Sequence, residues 1–162
     1  MLENASRPWY SRGLKFRCTE CGNCCSGPPG YVWISPEEVT LLARHLGKPE
    51  EEVHKRYLRR IGNRISLREK KTLDGKYDCV FLIDLPDDPR TGEKRRGCGI
   101  YPVRPLQCRT WPFWDGVVDT PRSWESAARV CPGMNQGKHY SRKRIEELRD
   151  AEEWPDAPPS SE

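Results

Sequence analysis

The sequence predicts a small α+β domain that is loop-rich and stapled by metal, with short helices and a small antiparallel sheet or hairpin. Only 35% of the 162 residues are hydrophobic, so the chain buries a modest core and needs further cross-links. Fifteen Pro and thirteen Gly favour turns and loops. Eight Cys offer thiolates for a metal, and metal-binding free energy adds to folding free energy. We expect one cysteine-cluster domain over residues 1–153 and a disordered tail over 154–162.

The first part of the chain carries clear start and stop signals for a helix. An irregular lead-in is expected over residues 1–16, and a short strand is predicted over 31–34. Ser35 is a typical N-cap residue, and Glu38 follows three residues later as its capping-box partner. Apolar residues then recur at helical spacing until Gly47, which predicts the end of the helix.

The middle of the chain predicts a second helix and a hairpin. The helix is expected from residue 49 to 61, because apolar residues recur on one face until Gly62-Asn63. Residues 65–73 and 76–82 are predicted strands around Asp74-Gly75, a dipeptide typical of hairpin turns.

The second half predicts mainly short elements. We expect a returning segment over 94–100, a helical turn over 105–111, a helix over 123–129 capped by Thr120-Pro121, and a surface helix over 141–153 with Ile145 and Leu148 facing inward.

Charge and hydropathy limit the partners. The net charge of +4 comes from 28 basic and 24 acidic residues, and this mild excess argues against nucleic acid as a partner. The basic clusters alternate with Glu or Asp and read as solvated surface. No apolar run reaches membrane-spanning length and residues 1–10 lack the apolar core of a signal peptide, so we expect a cytoplasmic protein without a membrane partner. A protein partner remains open, and the oligomeric state is not indicated.

The cysteines carry the strongest functional signal. Residues 18–25 form a C-x2-C-x2-C-C run, and a C-x2-C pair places two sulfurs on one turn, close enough to share a metal ion or cluster. In a reducing cytoplasm, metal chelation is favoured over disulfides. The expected metal ligands are all eight cysteines: Cys18, Cys21, Cys24, Cys25, Cys79, Cys98, Cys108 and Cys131.

The spacing favours an iron–sulfur cluster over zinc, in one or two sites. Ferredoxin-type runs take three thiolates from one loop and a fourth from a distant cysteine, often one followed by Pro. The first site would comprise Cys18, Cys21, Cys24 and Cys131. The second would comprise Cys25, Cys79, Cys98 and Cys108. Exchange of Cys131 with any of the last three stays open, as does zinc, which also uses C-x2-C turns. Cys79 could instead be a small buried apolar residue.

Two arginines flank Cys108 and are candidates for supporting the site. Guanidinium groups of Arg104 and Arg109 would offset thiolate charge and donate hydrogen bonds to sulfur, with Arg109 expected to act more directly. The alternative is that they bind a carboxylate or phosphate substrate. The neighbouring aromatic residues are expected to pack as a lid over the cluster, the alternative being a surface for stacking bases. They are Tyr101, Trp111, Phe113 and Trp114.

No catalytic residue can be named from the sequence. His45 and His54 lack ligand spacing and are expected at the surface, and no phosphate loop, G-x-S-x-G or H-E-x-x-H motif is present. Whether the protein is an enzyme stays open.

Several motifs together resemble a known family. They are the C-x2-C-x2-C-C opening, Cys79-Val-Phe-Leu82, the segment C-x-I-Y-x-x-R-P-x-x-C-R from Cys98 to Arg109, and Cys131-Pro-Gly. In order and identity they resemble the YkgJ-like cysteine-cluster family of zinc- or iron-chelating domains, over about residues 16–150. The resemblance implies metal chelation by these cysteines.

Two functions therefore remain in play. The first is a cytoplasmic metal-binding protein whose cysteines chelate an iron–sulfur cluster or zinc, with a redox or enzyme-supporting role. The alternative is a zinc-stapled protein-interaction module without catalysis.

Overall fold

The computed structural model describes residues 6–151 and confirms the α+β class. The tail expected over 154–162 lies outside the described residues. The described residues form two compact units: a central unit over Glu20–Arg109, and a flanking unit made of residues 6–19 and 110–151. The single domain expected over 1–153 stays a prediction.

The elements are short, as a Pro- and Gly-rich chain predicts. The described helices are α1 (Pro36–Leu46), α2 (Glu50–Tyr57), α3 (Leu106–Thr110), α4 (Asp115–Val118), α5 (Pro121–Ala128) and α6 (Arg142–Asp150). The described strands are β1 (Leu14–Phe16), β2 (Ser26–Gly27), β3 (Leu58–Ile61), β4 (Arg64–Leu67), β5 (Glu69–Lys71), β6 (Tyr77–Cys79), β7 (Leu82–Leu85), β8 (Arg95–Cys98) and β9 (Lys138–Tyr140). No helix between residues 6 and 151 has the length and apolar character needed to cross a membrane.

Helix α1 confirms its sequence signals. The Ser35 hydroxyl accepts a hydrogen bond from the Glu38 N–H at 3.1 Å, and the Glu38 carboxylate accepts one from the Ser35 N–H at 2.9 Å. The helix ends at Gly47, whose φ of 63° is the left-handed conformation that glycine adopts without strain.

The second predicted helix is wrong beyond Tyr57. Residues 58–61 form β3, which pairs antiparallel with β4, Leu58 lying opposite Leu67. Gly62-Asn63 is therefore a hairpin turn and not a helix end, and Gly62 adopts a φ of 61°, as a glycine in a two-residue hairpin turn often does. The apolar residues of this segment fit the repeat of a helix as well as that of a strand, and pairing with β4 selects the strand.

The hairpin around Asp74-Gly75 is confirmed, with corrected strand lengths. Strands β5 and β6 pair antiparallel, and β2 adds to the other edge of β6 to make a three-stranded sheet. The first predicted strand is broken at Arg68, because β4 pairs with β3 whereas β5 pairs with β6. Strands β7 and β8 form a further pair, as the return over 94–100 suggested. The strand predicted over 31–34 is reduced to one bridge between Trp33 and Ser66.

Each unit has its own apolar core. The buried residues of the central core are Ile34, Val39, Leu42, Ala43, Val53, Leu58, Leu67, Phe81 and Ile100. Those of the flanking core are Tyr10, Phe16, Phe113, Val118, Trp124, Met134 and Ile145.

The flanking unit corrects one expectation and confirms two. The lead-in is not wholly irregular, since β1 pairs with β9. The Thr120 hydroxyl caps α5 by accepting a hydrogen bond from the Ser123 N–H at 3.0 Å. In α6, Ile145 is buried and Leu148 packs beside it, as predicted.

Candidate metal centre

All eight cysteines lie within the described residues, and all are free thiols. The central unit contains six of them and the flanking unit contains Cys18 and Cys131. Because the six come from a loop, two strands and a helix, the fold of the central unit decides which of them meet.

The loop before β2 presents the first three of these thiols. Gly22 has a φ of 76°, and Asn23–Cys25 form a 3₁₀ turn directly after it. The Asn23 N–H donates to the Cys21 sulfur at 3.4 Å. A Cβ on Gly22 would lie 2.9 Å from Leu82 Cδ1, and the positive φ is a conformation that favours glycine.

Strand pairing then brings Cys25 toward Cys79. Ser26 lies opposite Asp78 in the β2–β6 pair, and Gly27 lies opposite Tyr77. Continued by one residue, this antiparallel register places Cys25 next to Cys79 at the end of β6.

The next pair of strands and α3 supply two further thiols. Cys98, the last residue of β8, lies opposite Leu82, and the Gly99 N–H donates to the Phe81 carbonyl at 2.8 Å. Cys108 lies within α3, which follows the tight turn at Pro105.

The electrostatics of the thiols show that five of them share one environment. Burial raises the pKa of Cys79 to about 11, and the neighbouring charges of Cys98, Glu69 and Cys24 add to the shift. Burial raises the pKa of Cys108 strongly, with further contributions from three cysteines. They are Cys79, Cys24 and Cys98. Several thiolates this close repel each other, so a bound cation would stabilise them together.

Cys24 and Cys25 form a hydrogen-bonded pair, with their sulfurs 3.8 Å apart. The hydrogen bond from Cys25 lowers the pKa of Cys24 to about 7, and the charge of Arg104 acts in the same direction. The same hydrogen bond and burial raise the pKa of Cys25. The pair therefore favours one thiolate and one thiol when no metal is bound.

Arg104 is the arginine that acts on the thiols. Its charge lowers the pKa of both Cys24 and Cys108, against the effect of burial. Its Nε donates to the Tyr101 carbonyl at 3.0 Å, and its guanidinium carbon lies 3.8 Å from the centre of the Tyr101 ring. The side chain is thus fixed in place by its own turn, beside the sulfurs.

Arg109 contacts Arg104 and Glu38, and its expected support of the thiols stays a prediction. Its Nε donates to the Arg104 carbonyl at 3.0 Å, and its guanidinium lies 3.4 Å from the Glu38 carboxylate. Half of its side chain is exposed (51%). Arg109 therefore holds the backbone at Arg104 and links α3 to α1.

Two acidic residues that the sequence did not connect with the cysteines tie the cysteine-bearing elements together. The Asp78 carboxylate accepts a hydrogen bond from the Ser26 hydroxyl at 2.5 Å and lies 3.6 Å from the Arg96 guanidinium, so it links β2, β6 and β8. The Glu38 carboxylate accepts from the Leu106 N–H at 2.7 Å, at the start of the helix that carries Cys108. The capping box marks Glu38 only as the partner of Ser35, and no sequence motif marks Asp78.

The flanking unit brings its own two cysteines toward each other. Phe16 bridges Met134, and the Arg17 N–H donates to the Gly133 carbonyl at 2.9 Å. The same register continued leads to Cys18 and the Cys131-Pro132 segment. The Trp111 indole N–H donates to the Cys131 sulfur at 3.5 Å.

The aromatic residues and histidines take separate roles. Phe113 is buried in the flanking core and packs on Trp124 with ring centres 5.9 Å apart, and the expected lid stays a prediction. Trp111 and Trp114 contact each other edge-to-face, and Tyr101 stacks with Arg104. His45 and His54 are exposed on helices, as expected.

The chemistry of the cysteine side chains indicates which kind of metal they could bind. Among residues 6–151, no three His, Cys, Asp or Glu side chains are arranged so that they could hold a metal ion as they are placed. The thiols nevertheless fit a soft metal or a cluster. Several share one environment, a guanidinium offsets their charge, and one backbone N–H donates to the Cys21 sulfur.

The fold and the eight free thiols together describe a cysteine-rich protein of the α+β class. The sequence profile of the CxxCxxCC family, described as "Putative zinc- or iron-chelating domain", matches residues 17–132, which include all eight cysteines. The chain belongs to this family.

One curated relative adds to this result. It is the uncharacterized protein MJ0661 of Methanocaldococcus jannaschii, which is 35% identical over 104 residues, or 64% of this chain and 48% of the relative. The chain thus spans about half the length of that relative. No solved structure matches the chain.

Proposed function

We propose that the cysteines chelate an iron–sulfur cluster and that the protein has a redox or enzyme-supporting role in the cytoplasm. The observation that carries this proposal is the shared environment of Cys24, Cys25, Cys79, Cys98 and Cys108, each of which alters the pKa of another member. Free thiols throughout the chain are consistent with a reducing compartment.

The proposed allocation keeps Cys25, Cys79, Cys98 and Cys108 as one set of ligands. The β2–β6 register and the mutual pKa effects support this set. Cys24 belongs to the same environment, so it competes for a place there. Cys18 and Cys131 of the flanking unit, close in sequence to the backbone hydrogen bond between Arg17 and Gly133, are proposed as partners in another set.

Hydrogen bonds to sulfur would set the reduction potential of a bound iron–sulfur cluster. The Asn23 N–H donates to Cys21, and the Trp111 indole donates to Cys131. A bound cluster would supply one-electron transfer. The side chain of Arg104 would then hold positive charge beside it and offset the charge of the thiolates.

The second candidate is a zinc-stapled module without catalysis. It is favoured by the two small apolar cores, which leave the short elements of each unit in need of a cross-link. Zinc would be held by the same thiolates in closed four-ligand sites.

Anaerobic purification followed by assays of iron, acid-labile sulfide and zinc separates the two candidates. We expect iron and sulfide in similar amounts and a visible absorption that bleaches on reduction. Zinc alone, with no colour after reconstitution with iron and sulfide, would establish the zinc-stapled module. A folded, metal-free chain with all thiols titratable would exclude both.

A further inference from the structure

We propose that a cavity formed by α2 and the β3–β4 hairpin binds a small ligand that carries phosphate groups. This hairpin cavity lies within the central unit, contains no cysteine and goes beyond the proposed metal function. Its volume is about 340 Å³. Its lining residues are His54, Leu58, Arg59, Arg60, Ile65 and Arg68.

Positive charge is concentrated around the hairpin cavity. Eight Lys and Arg side chains fall between residues 55 and 71, against one acidic residue, Glu69, although the whole chain has a net charge of only +4. Glu69 already lies 3.8 Å from Arg59. On α2, Glu52 contacts both Lys48 and Arg56, and Glu50 accepts a hydrogen bond from the Thr40 hydroxyl.

Three of the cationic or donor groups of the cavity are therefore available to a ligand. Within the described part of the chain, the side chains of Arg60, Arg68 and His54 form no ion pair and no hydrogen bond. Two guanidinium forks and an imidazole at one cavity match the oxygen atoms of phosphate, which guanidinium groups bind in bidentate fashion.

Backbone hydrogen bonds hold the segments that carry these side chains. Arg60 lies opposite Ile65 in the β3–β4 pair, and the backbone of Arg68 bonds to Tyr57 on one side and to Val80 on the other. Arg59 is held by the Gly30 carbonyl at 2.5 Å, and its buried Nε has no hydrogen-bond partner in the described residues. A rigid frame lowers the entropy cost of binding.

The shape of the cavity favours a small ligand over a long polyanion. Leu58 is buried and, with Ile65, provides an apolar floor, and the volume lies at the small end of the range for ligand pockets. Such a concave site suits one or two phosphate groups attached to a compact apolar or ring-shaped body.

Titration calorimetry with pyrophosphate, on the full metal-loaded chain, tests the proposal. The test variants are Arg60→Gln and Arg68→Gln. The matched control is Arg90→Gln, which removes the same charge from an exposed turn of the same unit. Citrate serves as a carboxylate of comparable charge, and a single-stranded oligonucleotide serves as an extended polyanion.

We expect saturable binding of pyrophosphate, weakened about tenfold by each test variant and unchanged by the control. No saturable binding, or equal weakening by all three variants, would overturn the proposal. Citrate binding as tightly would show a general anion patch, and an oligonucleotide that pyrophosphate cannot displace would show an extended nucleic-acid surface; either would overturn it.

Measurements of melting temperature and metal content separate a loss of ligand binding from a loss of folding or of metal. If a Gln variant melts at a lower temperature than the parent, Arg60→Lys and Arg68→Lys replace it, since they keep the charge without the guanidinium fork. Weaker pyrophosphate binding by the Lys variants at the parent melting temperature would support the site, and unchanged binding would overturn it. Metal content is expected to be equal in all variants, so failure here is distinct from failure of the metal proposal.

Discussion

The Ser26 hydroxyl and the Asp78 carboxylate form a 2.5 Å hydrogen bond across the strand pair that brings Cys25 toward Cys79. Arg96, 3.6 Å from the same carboxylate, extends the link to the strand that carries Cys98. One carboxylate thus connects three cysteine-bearing segments.

Asp78→Asn should weaken metal retention about tenfold, because the neutral amide loses the attraction to Arg96 and weakens the bond to Ser26. Retention is measured by competition with a chelator. Asp87→Asn, which removes the same charge from an exposed position of the same unit, is the control and should behave as the parent does. Equal retention in both variants would mean that Asp78 has no part in holding the ligands.

Arg104→Ala should lower metal retention more than Arg109→Ala does. Arg104 acts on the charge of Cys24 and Cys108, whereas the exposed Arg109 pairs with Glu38. We expect about a tenfold effect for Arg104, and partial recovery in Arg104→Lys, since the charge returns without the fork. The measurement is again chelator competition. The reverse order of the two alanine variants would restore Arg109 as the closer support.

Glu38→Ala should destabilise the central unit by about 1–3 kcal/mol, because one carboxylate satisfies the N–H groups of Ser35 and Leu106. Glu38→Gln keeps an acceptor and should lose less. Urea unfolding measures the free energy, with Glu37→Ala, its exposed neighbour on α1, as the control. A loss in Glu37→Ala as large as in Glu38→Ala would assign the effect to helix charge alone.

Gly22→Ala should reduce metal retention. Its φ of 76° strains an alanine, and its Cβ would meet Leu82 Cδ1 at 2.9 Å, so we expect the loop of Cys21 and Cys24 to shift. The control is Gly30→Ala, which meets nothing within 4 Å and has no positive φ. Retention and near-ultraviolet circular dichroism are measured together. A Gly22→Ala protein with parental retention would show that the loop tolerates the shift.

Removing the metal should lower the unfolding temperature and broaden the transition. Thiolate repulsion and the small apolar cores leave the metal-free chain short of stabilising free energy. Thermal unfolding is compared before and after chelation, and again after metal is restored. An unchanged, equally cooperative transition in the metal-free chain would show that the cores suffice.

The sequence by itself predicted the elements whose signals are local. The Ser35–Glu38 capping box and Gly47 fix α1 because both act within a few residues, and Thr120 fixes the start of α5 in the same way. The cysteine spacing and its neighbouring motifs were enough to predict the family, which the comparison bears out.

Only the tertiary structure decided what depends on distant partners. Residues 58–61 fit a helix as well as a strand, and pairing with β4 made them a strand. The approach of Cys25 to Cys79 follows from strand register. The contacts of Arg104, Arg109 and Asp78 follow from the positions of their charged groups in the folded chain. Spacing along the chain indicates which thiols share a turn. Contacts between distant elements depend on packing and strand pairing, which no local pattern encodes.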